Sequence, residues 1–404
     1  MSTAAKTITT PSNKSFRNMN PAERVQAIQA NEAEMHRYFD MDYLRSFNEE
    51  IFDYLARYFR PEFVGFDELP AKNENGKPLI YACNHSGMAF PWDAIVMGSG
   101  LYKKHQYDLE NLFRPLAAPA LSASNLMNPF LLTNMWKTVG AMDATSLNFE
   151  TMMEYSGSNV LIYPEGVPGI GKGFNRKYQL QTFSTSMIRM AIKHRTDIIG
   201  TSCINGEYIN PYSYSWKWLD RQVNKIGVPY LPVALQTPLL LLQPWTFYYA
   251  FPAKLIYVKG NRYQPWEMAG GKDLDSLSET EIAAIRDEIQ ADMQLHLNEN
   301  VKTYGKKPFN WRELLSNFGA NFRSLPYWTP IGWPALFSEF DRRYHIEKKP
   351  PQGITRGWLR FWRIIWHNPI VFAYFIPVIG WLPLMYRGMK GRKKVKMWEG
   401  SKVK

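Results

Sequence analysis

The most constraining feature of this sequence is a series of short apolar runs that end at polar or turn-forming residues. The runs lie in the segments PLIYAC, SNVLIYPEG, TDIIGTSCI and PAKLIYVKG, and a shorter one lies in PEFVGF. Runs of this length between turn residues are typical of buried β-strands. Helical patterns follow some of them, for example in NFETMMEY and QTFSTSMIRMAIKH. Buried strands that alternate with helices predict an α/β fold with a largely parallel sheet flanked by helices.

Helical patterns also lie outside this central region. Apolar residues recur at three-to-four spacing from residue 21 to residue 59, which predicts N-terminal helices. Ser278 followed by Glu281 is a capping-box pattern, so we expect a helix that begins there and continues to about Val301. Residues 1–20 show no such pattern and are predicted to be disordered.

Composition limits the classes of protein to consider. A chain of 404 residues with 45% hydrophobic residues can bury a sizeable core, as one large domain or two. Its two cysteines, Cys83 and Cys203, stand far apart. They exclude a disulfide framework and a cysteine metal cluster, and they favour a reducing compartment. The N-terminal residues lack an apolar segment of the kind found in secretory signals, so no such signal is expected.

The net charge of +12 is concentrated near the end of the sequence. Beyond Tyr386, eight basic residues against one acid, Glu399, leave a charge of +7. The basic residues are Arg387, Lys390, Arg392, Lys393, Lys394, Lys396, Lys402 and Lys404. A basic tail can be a solvated terminus, a nucleic-acid arm or a contact with anionic lipid.

The two segments before this tail favour the lipid interpretation. On a helix, residues 356–367 would place basic side chains on one face and large apolar side chains on the other. The basic face holds Arg356, Arg360, Arg363 and His367, and the apolar face holds Trp358, Phe361, Trp362 and Ile365. An uncharged apolar run follows at residues 368–386. A basic amphipathic helix, an apolar run and a polybasic end together predict a membrane-associated C-terminal extension.

The apolar run has features of an in-plane or re-entrant segment. A spanning helix needs about 20 apolar residues, but Pro377, Gly380 and Pro383 interrupt this run. Both flanks are basic, and basic flanks favour the cytoplasmic side, so we expect the cytoplasmic face of a membrane. The competing interpretation of residues 356–367 is an ordinary core helix. The aromatic residues are not spread along a basic groove, so nucleic acid is not an expected partner.

Two of the apolar runs end in residues that suit a catalytic site. NHSGMAFPWD follows one run and PEGVPG follows another, and sites in open α/β sheets lie beyond such strand ends. Five blocks resemble, in their order, those of the glycerolipid (lysophospholipid) acyltransferases, which include lysophosphatidic acid acyltransferases. The blocks are GFDELP…PLIYACNHSG, VGAMDA, VLIYPEGVPG, DIIGTSCING and FPAKLIYVKGNRY, which together extend over about residues 62–263.

The resemblance implies a fold and an activity. It implies an α/β acyltransferase domain on a membrane face, here residues 61–305, after a helical segment at 21–60. A connecting segment at 306–355 and the membrane-associated extension at 356–404 would follow. The family transfers a fatty acyl group from acyl-CoA or acyl-carrier protein to a lipid hydroxyl, and it uses no other cofactor. Two other classes compete: a lipid thioesterase or hydrolase that activates water, and a catalytically silent lipid-binding membrane protein.

His85 and Asp93 fit the acid–base chemistry of acyl transfer. A histidine with an ordinary pKa of ~6.5 can accept the proton of a lipid hydroxyl, and a carboxylate on its other ring nitrogen fixes the tautomer. The family motif has four residues between the two, whereas seven lie between them here. A continuous helix would separate them by ~12 Å, so residues 87–90 must form a loop before a helix that begins at Pro91. Amides near Gly87 or at that helix start would stabilise the oxyanion.

The identity of the acceptor is less constrained. Family members often follow PEG with a threonine and an arginine that contacts the acceptor's phosphate, but Val167 follows Gly166 here. A phosphate could instead be bound by Lys172, Arg176 and Lys177. Otherwise the acceptor is a neutral alcohol such as diacylglycerol, phytol or a sterol. The predicted substrate-binding residues are Asn84, Ser86, Gly87, Pro164, Glu165, Gly166, Lys172 and Arg176.

Other candidates are weaker. His194, His296 and His345 stand apart from any acid at a useful spacing, and no metal site is predicted. No glycine-rich stretch forms a phosphate loop of the strand–loop–helix kind. The apolar aromatic residues 238–251 are expected in the core, along an acyl groove or against the bilayer.

Overall fold

A seven-stranded sheet forms the centre of the molecule. The computed structural model describes residues 16–88, 90–119, 135–225, 230–348, 351–354 and 358–392. The strands are β1 (Glu62–Val64), β2 (Ile80–Cys83), β3 (Phe113–Ala117), β4 (Met142–Asp143), β5 (Asn159–Ile162), β6 (Ile198–Ile204) and β7 (Ile256–Tyr263). Their order is β1-β7-β6-β2-β5-β3-β4. Among these strands β6 and β7 pair antiparallel and the other neighbours pair parallel, which confirms the predicted α/β fold.

Two of the strands, β3 and β4, were missing from the sequence prediction. β3 has the sequence FRPLA, in which an arginine and a proline break the apolar pattern, and β4 has two residues. Arg114 of β3 is nevertheless buried. Its guanidinium donates to the carbonyl oxygens of Gly140 at 2.7 Å and Met35 at 3.0 Å. A buried cation that finds such acceptors is tolerated in the interior, so a hydropathy pattern misses this strand.

Helices cover both faces of the sheet. They are α1 (Pro21–Arg37), α2 (Met41–Phe47), α3 (Asp53–Phe59), α4 (Trp92–Lys104), α5 (Met135–Thr138), α6 (Ser146–Tyr155), α7 (Val167–Ile170), α8 (Ser186–His194), α9 (Lys217–Asn224), α10 (Thr237–Leu242), α11 (Pro265–Met268), α12 (Glu279–Tyr304), α13 (Trp311–Ala320), α14 (Trp333–Glu347), α15 (Trp358–His367), α16 (Val371–Phe375) and α17 (Trp381–Arg392). A π-helical turn joins α2 to α3. The predicted N-terminal helices are therefore confirmed.

The predicted capping box at the start of α12 is also present. The Ser278 hydroxyl accepts the backbone N–H of Glu281, and the Glu281 carboxylate accepts the backbone N–H of Ser278. Each side chain thereby satisfies an N–H group that has no partner within the helix. The helix continues to Tyr304, slightly beyond the predicted end.

The two faces of the sheet carry separate hydrophobic cores. Successive side chains of a strand point to opposite faces, so Ile80 and Tyr81 of β2 belong to different clusters. The Tyr81 side packs against α2, α3 and α14, and the Ile80 side packs against α6, α8 and α12. Trp333 of α14 is fully buried, so the segment at 306–355 contributes to the main core as well as connecting its neighbours. The domain boundaries stay a prediction.

Part of the N-terminus predicted to be disordered is ordered. Phe16 and Met19 are buried and pack in one cluster with Ile28 of α1 and Leu147 of α6. The prediction of disorder is therefore wrong for residues 16–20, because two apolar side chains find a site on the helical layer. Residues 1–15 lie outside the described residues.

Helix α15 divides its apolar side chains between the core and the surface. Phe361 and Ile365 are buried in the main core, whereas Trp362 is half exposed and Trp366 is largely exposed. The predicted apolar face is thus divided, because the side of the helix that holds Phe361 packs on the domain, and the predicted membrane contact stays a prediction. The core-helix interpretation applies to that side, and the Trp362 side is left at the surface.

The apolar run at residues 368–386 folds into two short helices, α16 and α17. The chain bends between them at residues 376–380, which include two of the three predicted interruptions, Pro377 and Gly380. In the parts of the chain that the structure describes, no helix combines the length and the apolar character needed to cross a bilayer. The polybasic end from residue 393 onward lies outside the described residues.

Candidate active site

The loop between β2 and α4 brings His85 and Asp93 together. His85 Nδ1 lies 2.7 Å from Asp93 Oδ2, although seven residues separate the two in sequence. The backbone N–H groups of Ser86 and Ala94 also donate to the Asp93 carboxylate, at 3.1 and 2.9 Å. The Asp93 side chain is 1% exposed, and these contacts replace the water it has lost. Because a carboxylate only accepts, Nδ1 carries the proton of this contact.

Left-handed backbone conformations turn the chain between the two side chains. Gly87 has a φ of +120° and Met88 a φ of +43°. A Cβ atom on Gly87 would lie 3.1 Å from the carbonyl oxygen of Gly206, so both conformation and space favour glycine. Pro91 occupies the capping position and α4 begins at the next residue, one later than predicted. The predicted loop, with Asp93 in the first turn of the helix, is confirmed.

His85 lines an apolar cavity of about 550 Å³ beyond the carboxyl ends of the strands. Other residues that line it include Phe47, Ile95, Phe113, Met135, Leu161 and Pro164. The His85 ring packs against Tyr163, with ring centroids 4.4 Å apart. Nδ1 is occupied by Asp93, and among the described residues Nε2 has no hydrogen-bond partner. The imidazole therefore has one nitrogen held in place and one available for a ligand.

Glu165 supports the backbone at His85. Its Oε1 accepts the His85 N–H at 3.0 Å, and its Oε2 accepts the Gln181 N–H at 2.6 Å. The carboxyl group is buried. Burial raises its pKa, and Lys172 together with the two N–H donors only partly opposes that shift. Glu165 thus joins the ends of β2 and β5 through hydrogen bonds, which an ordinary turn acid would not do.

Lys172, one of the three cations proposed to bind a phosphate, is not exposed. Its side chain is fully buried, with Nζ 3.7 Å from Glu165 and 3.5 Å from Glu207. Nζ also donates to the carbonyl oxygen of Gln179 at 3.1 Å. Burial lowers the pKa of this ammonium, but Glu207 and Glu165 outweigh burial and raise it. Lys172 thus balances the charge of two buried carboxylates inside the protein, and its predicted contact with a phosphate stays a prediction.

Asn84 also serves the fold. Its side chain accepts the Cys203 N–H at 2.6 Å and donates to the Cys203 carbonyl at 3.0 Å, which joins β2 to β6. The predicted substrate contact is wrong for Asn84, since the residue is 1% exposed and both ends of the amide are occupied. The Ser86 hydroxyl is buried without a hydrogen-bond partner among the described residues. Pro164 and Gly166 line the cavity beside His85.

Arg176 and Lys177 keep their charges at the surface. Arg176 donates to the side chain of Gln181 at 3.3 Å, and Lys177 Nζ lies 3.4 Å from the Tyr208 hydroxyl. Arg176 also lines a smaller pocket of about 290 Å³, whose wall includes Lys172 and Lys217. Of the three cations that the sequence offered for a phosphate, these two are accessible.

Several amides that the sequence proposed for the oxyanion have protein partners. The N–H of Ser86 donates to Asp93, and that of Met88 donates to the Ile170 carbonyl at 3.0 Å. At the start of α4, the N–H of Ala94 donates to Asp93. The predicted oxyanion contact is therefore wrong for these amides in this conformation.

Sequence reasoning missed contacts made by distant residues. Glu207 follows β6 in the segment INGE. Its position just past an apolar strand was the sequence feature that could have identified it as a residue near the site. The Tyr257 hydroxyl of β7 donates to the Asp93 carbonyl at 2.7 Å. The expectation that His194 and His345 stand apart from any acid at a useful spacing is wrong. Glu150 and Glu154 contact His194, and Asp341 lies 3.3 Å from His345, one helical turn away.

No group of three or more His, Cys, Asp or Glu residues in the described parts of the chain could hold a metal ion. The site that the structure does show is an imidazole, backed by a carboxylate, beside an apolar cavity. The carboxylate behind the ring fixes the proton on Nδ1 and leaves Nε2 to accept one.

Comparison with known proteins assigns this region to a class. Residues 60–215 match the model of the Acyltransferase family, so the chain contains an acyltransferase domain, the domain of an enzyme class. The match includes His85, Asp93 and Glu165. It ends before β7, α12 and the C-terminal helices.

The relatives found are mycobacterial proteins described as uncharacterized. One from Mycobacterium leprae is 27% identical over 224 residues, which are 55% of this chain and 52% of the relative. One from Mycobacterium tuberculosis is 27% identical over 187 residues, 46% of this chain and 48% of the relative. The chain thus spans about half the length of the curated relatives it matches. No solved structure matches significantly.

Proposed function

We propose that this protein transfers a fatty acyl group from acyl-CoA or acyl-carrier protein to the hydroxyl of a lipid. The observation that carries the proposal is the His85–Asp93 hydrogen bond of 2.7 Å beside an apolar cavity of about 550 Å³ that His85 lines. This pair lies within the domain that matches the Acyltransferase family. A thioester is already activated, so no covalent enzyme intermediate is needed.

In the proposed reaction, His85 Nε2 accepts the proton of the lipid hydroxyl as its oxygen attacks the thioester carbonyl. Asp93 holds Nδ1–H and stabilises the imidazolium that forms. The tetrahedral intermediate then collapses, the carbon–sulfur bond breaks, and the departing thiolate takes the proton from Nε2. The products are the acylated lipid and the free thiol, with the histidine returned to its starting state.

The apolar cavity beside His85 is the proposed site of the acyl chain. Phe47, Ile95 and Leu161 on its wall offer apolar contacts, and a volume of about 550 Å³ suits a ligand of lipid size. An acyl chain here would place its thioester carbonyl next to the ring of His85.

For the acceptor, we propose a lysophospholipid or glycerol phosphate type of molecule. Arg176 and Lys177 support this choice, since both are accessible and lie on the loop that follows Glu165. Arginine binds phosphate through paired donors. A neutral alcohol is the alternative, and it draws support from the burial of Lys172, which removes one of the three cations from the surface.

We further propose that the protein acts on the cytoplasmic face of a membrane and contacts it through the C-terminal segment. Leu359 and Trp366 of α15 are 86% and 83% exposed, and Ile379 and Leu382 are 66% and 67% exposed. Large apolar side chains exposed in this number favour a lipid surface.

The test is to incubate purified protein with labelled acyl-CoA in mixed micelles and a panel of acceptors, and to measure the products by lipid mass. The panel includes lysophosphatidate, diacylglycerol, phytol and a sterol. An acylated lipid that forms only when its acceptor is present supports the proposal. Release of free fatty acid at the same rate with and without acceptors would identify a thioesterase instead. Acylation of a neutral alcohol without lysophosphatidate transfer would leave acyl transfer in place and overturn the choice of acceptor.

A further inference from the structure

Residues 212–243, which we name the surface arm, leave the α/β domain after β6 and return to it before β7. Tyr214 and Val233 close the base of the arm through two backbone hydrogen bonds of 2.9 Å. The arm carries α9 and α10, and its residues 226–229 lie outside the described residues. No residue of α9 is buried. The family match ends at residue 215, so nearly all of the arm lies beyond it.

Large apolar side chains of the arm face solvent. Tyr212, Trp216 and Trp218 are 69%, 56% and 52% exposed, and Leu235 is 97% exposed. The rings of Trp216 and Trp218 lie 5.4 Å apart. Contiguous exposed apolar groups of this size mark contact surfaces in soluble and membrane-bound proteins alike. The arm therefore has the surface of a segment that contacts an apolar partner.

Charged residues on α9 define the chemistry of that partner. Lys217, Arg221 and Lys225 are exposed. The Asp220 carboxylate accepts hydrogen bonds from the Ser215 hydroxyl at 2.7 Å and the Leu231 N–H at 3.1 Å, so it is engaged within the arm. Indole rings beside lysine and arginine fit the headgroup layer of an anionic bilayer, where the rings are partly immersed and the cations meet phosphate.

The arm is continuous with the exposed part of the C-terminal segment. The Val378 N–H donates to the Leu242 carbonyl at 2.8 Å. Leu242 is 48% exposed, and Val378 and Ile379 are 56% and 66% exposed. Two segments that are more than a hundred residues apart in sequence thus meet at one apolar surface.

Residues 210–213, where the chain enters the arm, contact the loop that holds His85 and the loop after Glu165. Asn210 donates from its side chain to the Met88 carbonyl at 2.9 Å. The Ser213 carbonyl oxygen accepts the Phe174 N–H at 2.7 Å, which joins the start of the arm to the loop after Glu165. A lipid surface beneath the arm would therefore lie close to both loops of the site.

We propose that the surface arm is a second membrane-contact element, which inserts Trp216, Trp218 and Leu235 into the interface of an anionic bilayer beside the C-terminal segment. Its role is to hold the mouth of the active site at the lipid surface, where the acceptor is found. This role rests on the proposed function, whereas the binding itself requires no turnover.

The experiment compares flotation of the full-length protein and its variants with vesicles of three parts phosphatidylcholine to one part phosphatidylglycerol. Trp216→Ser combined with Trp218→Ser should weaken partitioning onto the vesicles about tenfold, because two indole rings that would be partly buried in the bilayer are lost. Trp311→Ser is the matched control, since Trp311 of α13 is 55% exposed but lies outside the arm. It should float as the unchanged protein does. Lys217→Gln with Arg221→Gln should weaken binding at low salt and have little effect at high salt.

Equal flotation of the double tryptophan variant and the unchanged protein would overturn the inference, as would an equal loss in Trp311→Ser. A second copy of the chain is the other possible occupant of the arm. If sedimentation shows a dimer that the double variant abolishes while vesicle binding is unaffected, the arm is a subunit interface and the inference fails. Because flotation needs no substrate, protein that floats through its arm but transfers no acyl group would contradict the proposed function alone.

Discussion

His85 and His194 both contact carboxylates, but they lie at opposite ends of the sheet and use their ring nitrogens differently. His85 follows the carboxyl end of β2 and gives Nδ1 to Asp93. His194 ends α8, just before the amino end of β6. Its Nε2 lies 3.0 Å from Glu150 and its Nδ1 lies 3.3 Å from Glu154.

The difference shows that a carboxylate partner does not by itself make a histidine catalytic. Both ring nitrogens of His194 lie against carboxylate oxygens inside the protein, so neither is left beside a cavity where a substrate could meet it. Lys193 and Lys77 complete that network on Glu150 and Glu154. His85 keeps one nitrogen available beside a cavity. We therefore expect one pair to control turnover and the other to control stability.

The largest expected effect separates the two histidines by rate. His85→Ala should lower turnover by ~10²–10⁴, the usual cost of a lost general base, while the unfolding temperature stays close to that of the unchanged protein. His194→Ala should leave turnover per folded molecule unchanged. Steady-state rates and thermal unfolding of both variants check this. Near-normal turnover in His85→Ala would contradict the proposed mechanism. It would also contradict the distinction between a catalytic His85 and a structural His194.

The next effect concerns the buried ion pairs beside His85. Lys172→Met leaves Glu165 and Glu207 without their cation, so we expect the free energy of unfolding to fall by ~3–5 kcal/mol. Turnover should fall with it, because Glu165 holds the His85 backbone, whereas the Michaelis constant for the acceptor should change little. Lys177→Met is the control at an exposed lysine, where a change within ~0.5 kcal/mol is expected. Denaturant unfolding and acceptor titrations measure both quantities.

An opposite result for Lys172 would restore its sequence-based role. If Lys172→Met is as stable as the unchanged protein and raises only the Michaelis constant for lysophosphatidate, the ammonium binds phosphate and is not the internal counter-ion described above. Arg176→Gln provides the comparison, since its exposed guanidinium should affect that constant and not stability.

A smaller loss of stability is expected at the other histidine. His194→Ala should lower the free energy of unfolding by ~1–3 kcal/mol, the cost of leaving buried polar groups without a partner. The loss is limited because Glu150 keeps Lys193 and Glu154 keeps Lys77. Urea unfolding measures it. An unchanged free energy of unfolding would mean that the contacts of His194 with Glu150 and Glu154 do not stabilise the protein in solution. A loss of turnover without a loss of stability would mean that His194 affects the active site.

The smallest expected effect is a difference in the response to acid. Burial raises the pKa of Glu150, but hydrogen bonds from His194 and Lys193 outweigh it and lower the pKa. Its contribution to stability is therefore present above the ordinary pKa of ~4.3 and is lost as the pH falls through the folded value. For Glu165 the pKa is raised, so its contribution is present below ~4.3 and is lost as the pH rises through the folded value.

Thermal unfolding from pH 6 to pH 3 tests this contrast. Below about pH 4.3 the Glu150→Gln variant should lose less stability on acidification than the unchanged protein, whereas Glu165→Gln should show no such protection. Identical acid profiles for Glu150→Gln and the unchanged protein would show that His194 and Lys193 do not stabilise the carboxylate form.

The sequence by itself determined the parts of the molecule that depend on local pattern. Apolar runs located β2, β5, β6 and β7, and the Ser278–Glu281 pair located the start of α12. The spacing of His85 and Asp93 required a loop that the structure contains. These inferences succeed because strand burial, helix capping and chain reversal are properties of neighbouring residues.

Only the tertiary structure decided which charged side chains pair with one another inside the protein. Lys172 was as good a phosphate ligand as Arg176 in sequence, and its burial between Glu165 and Glu207 depends on how three loops meet at the end of the sheet. Likewise, Glu150 and His194 stand 44 residues apart on different helices. Packing of those helices on one sheet face brings them together. Because charge pairing in the interior follows from the arrangement of whole elements, no local pattern could have revealed it.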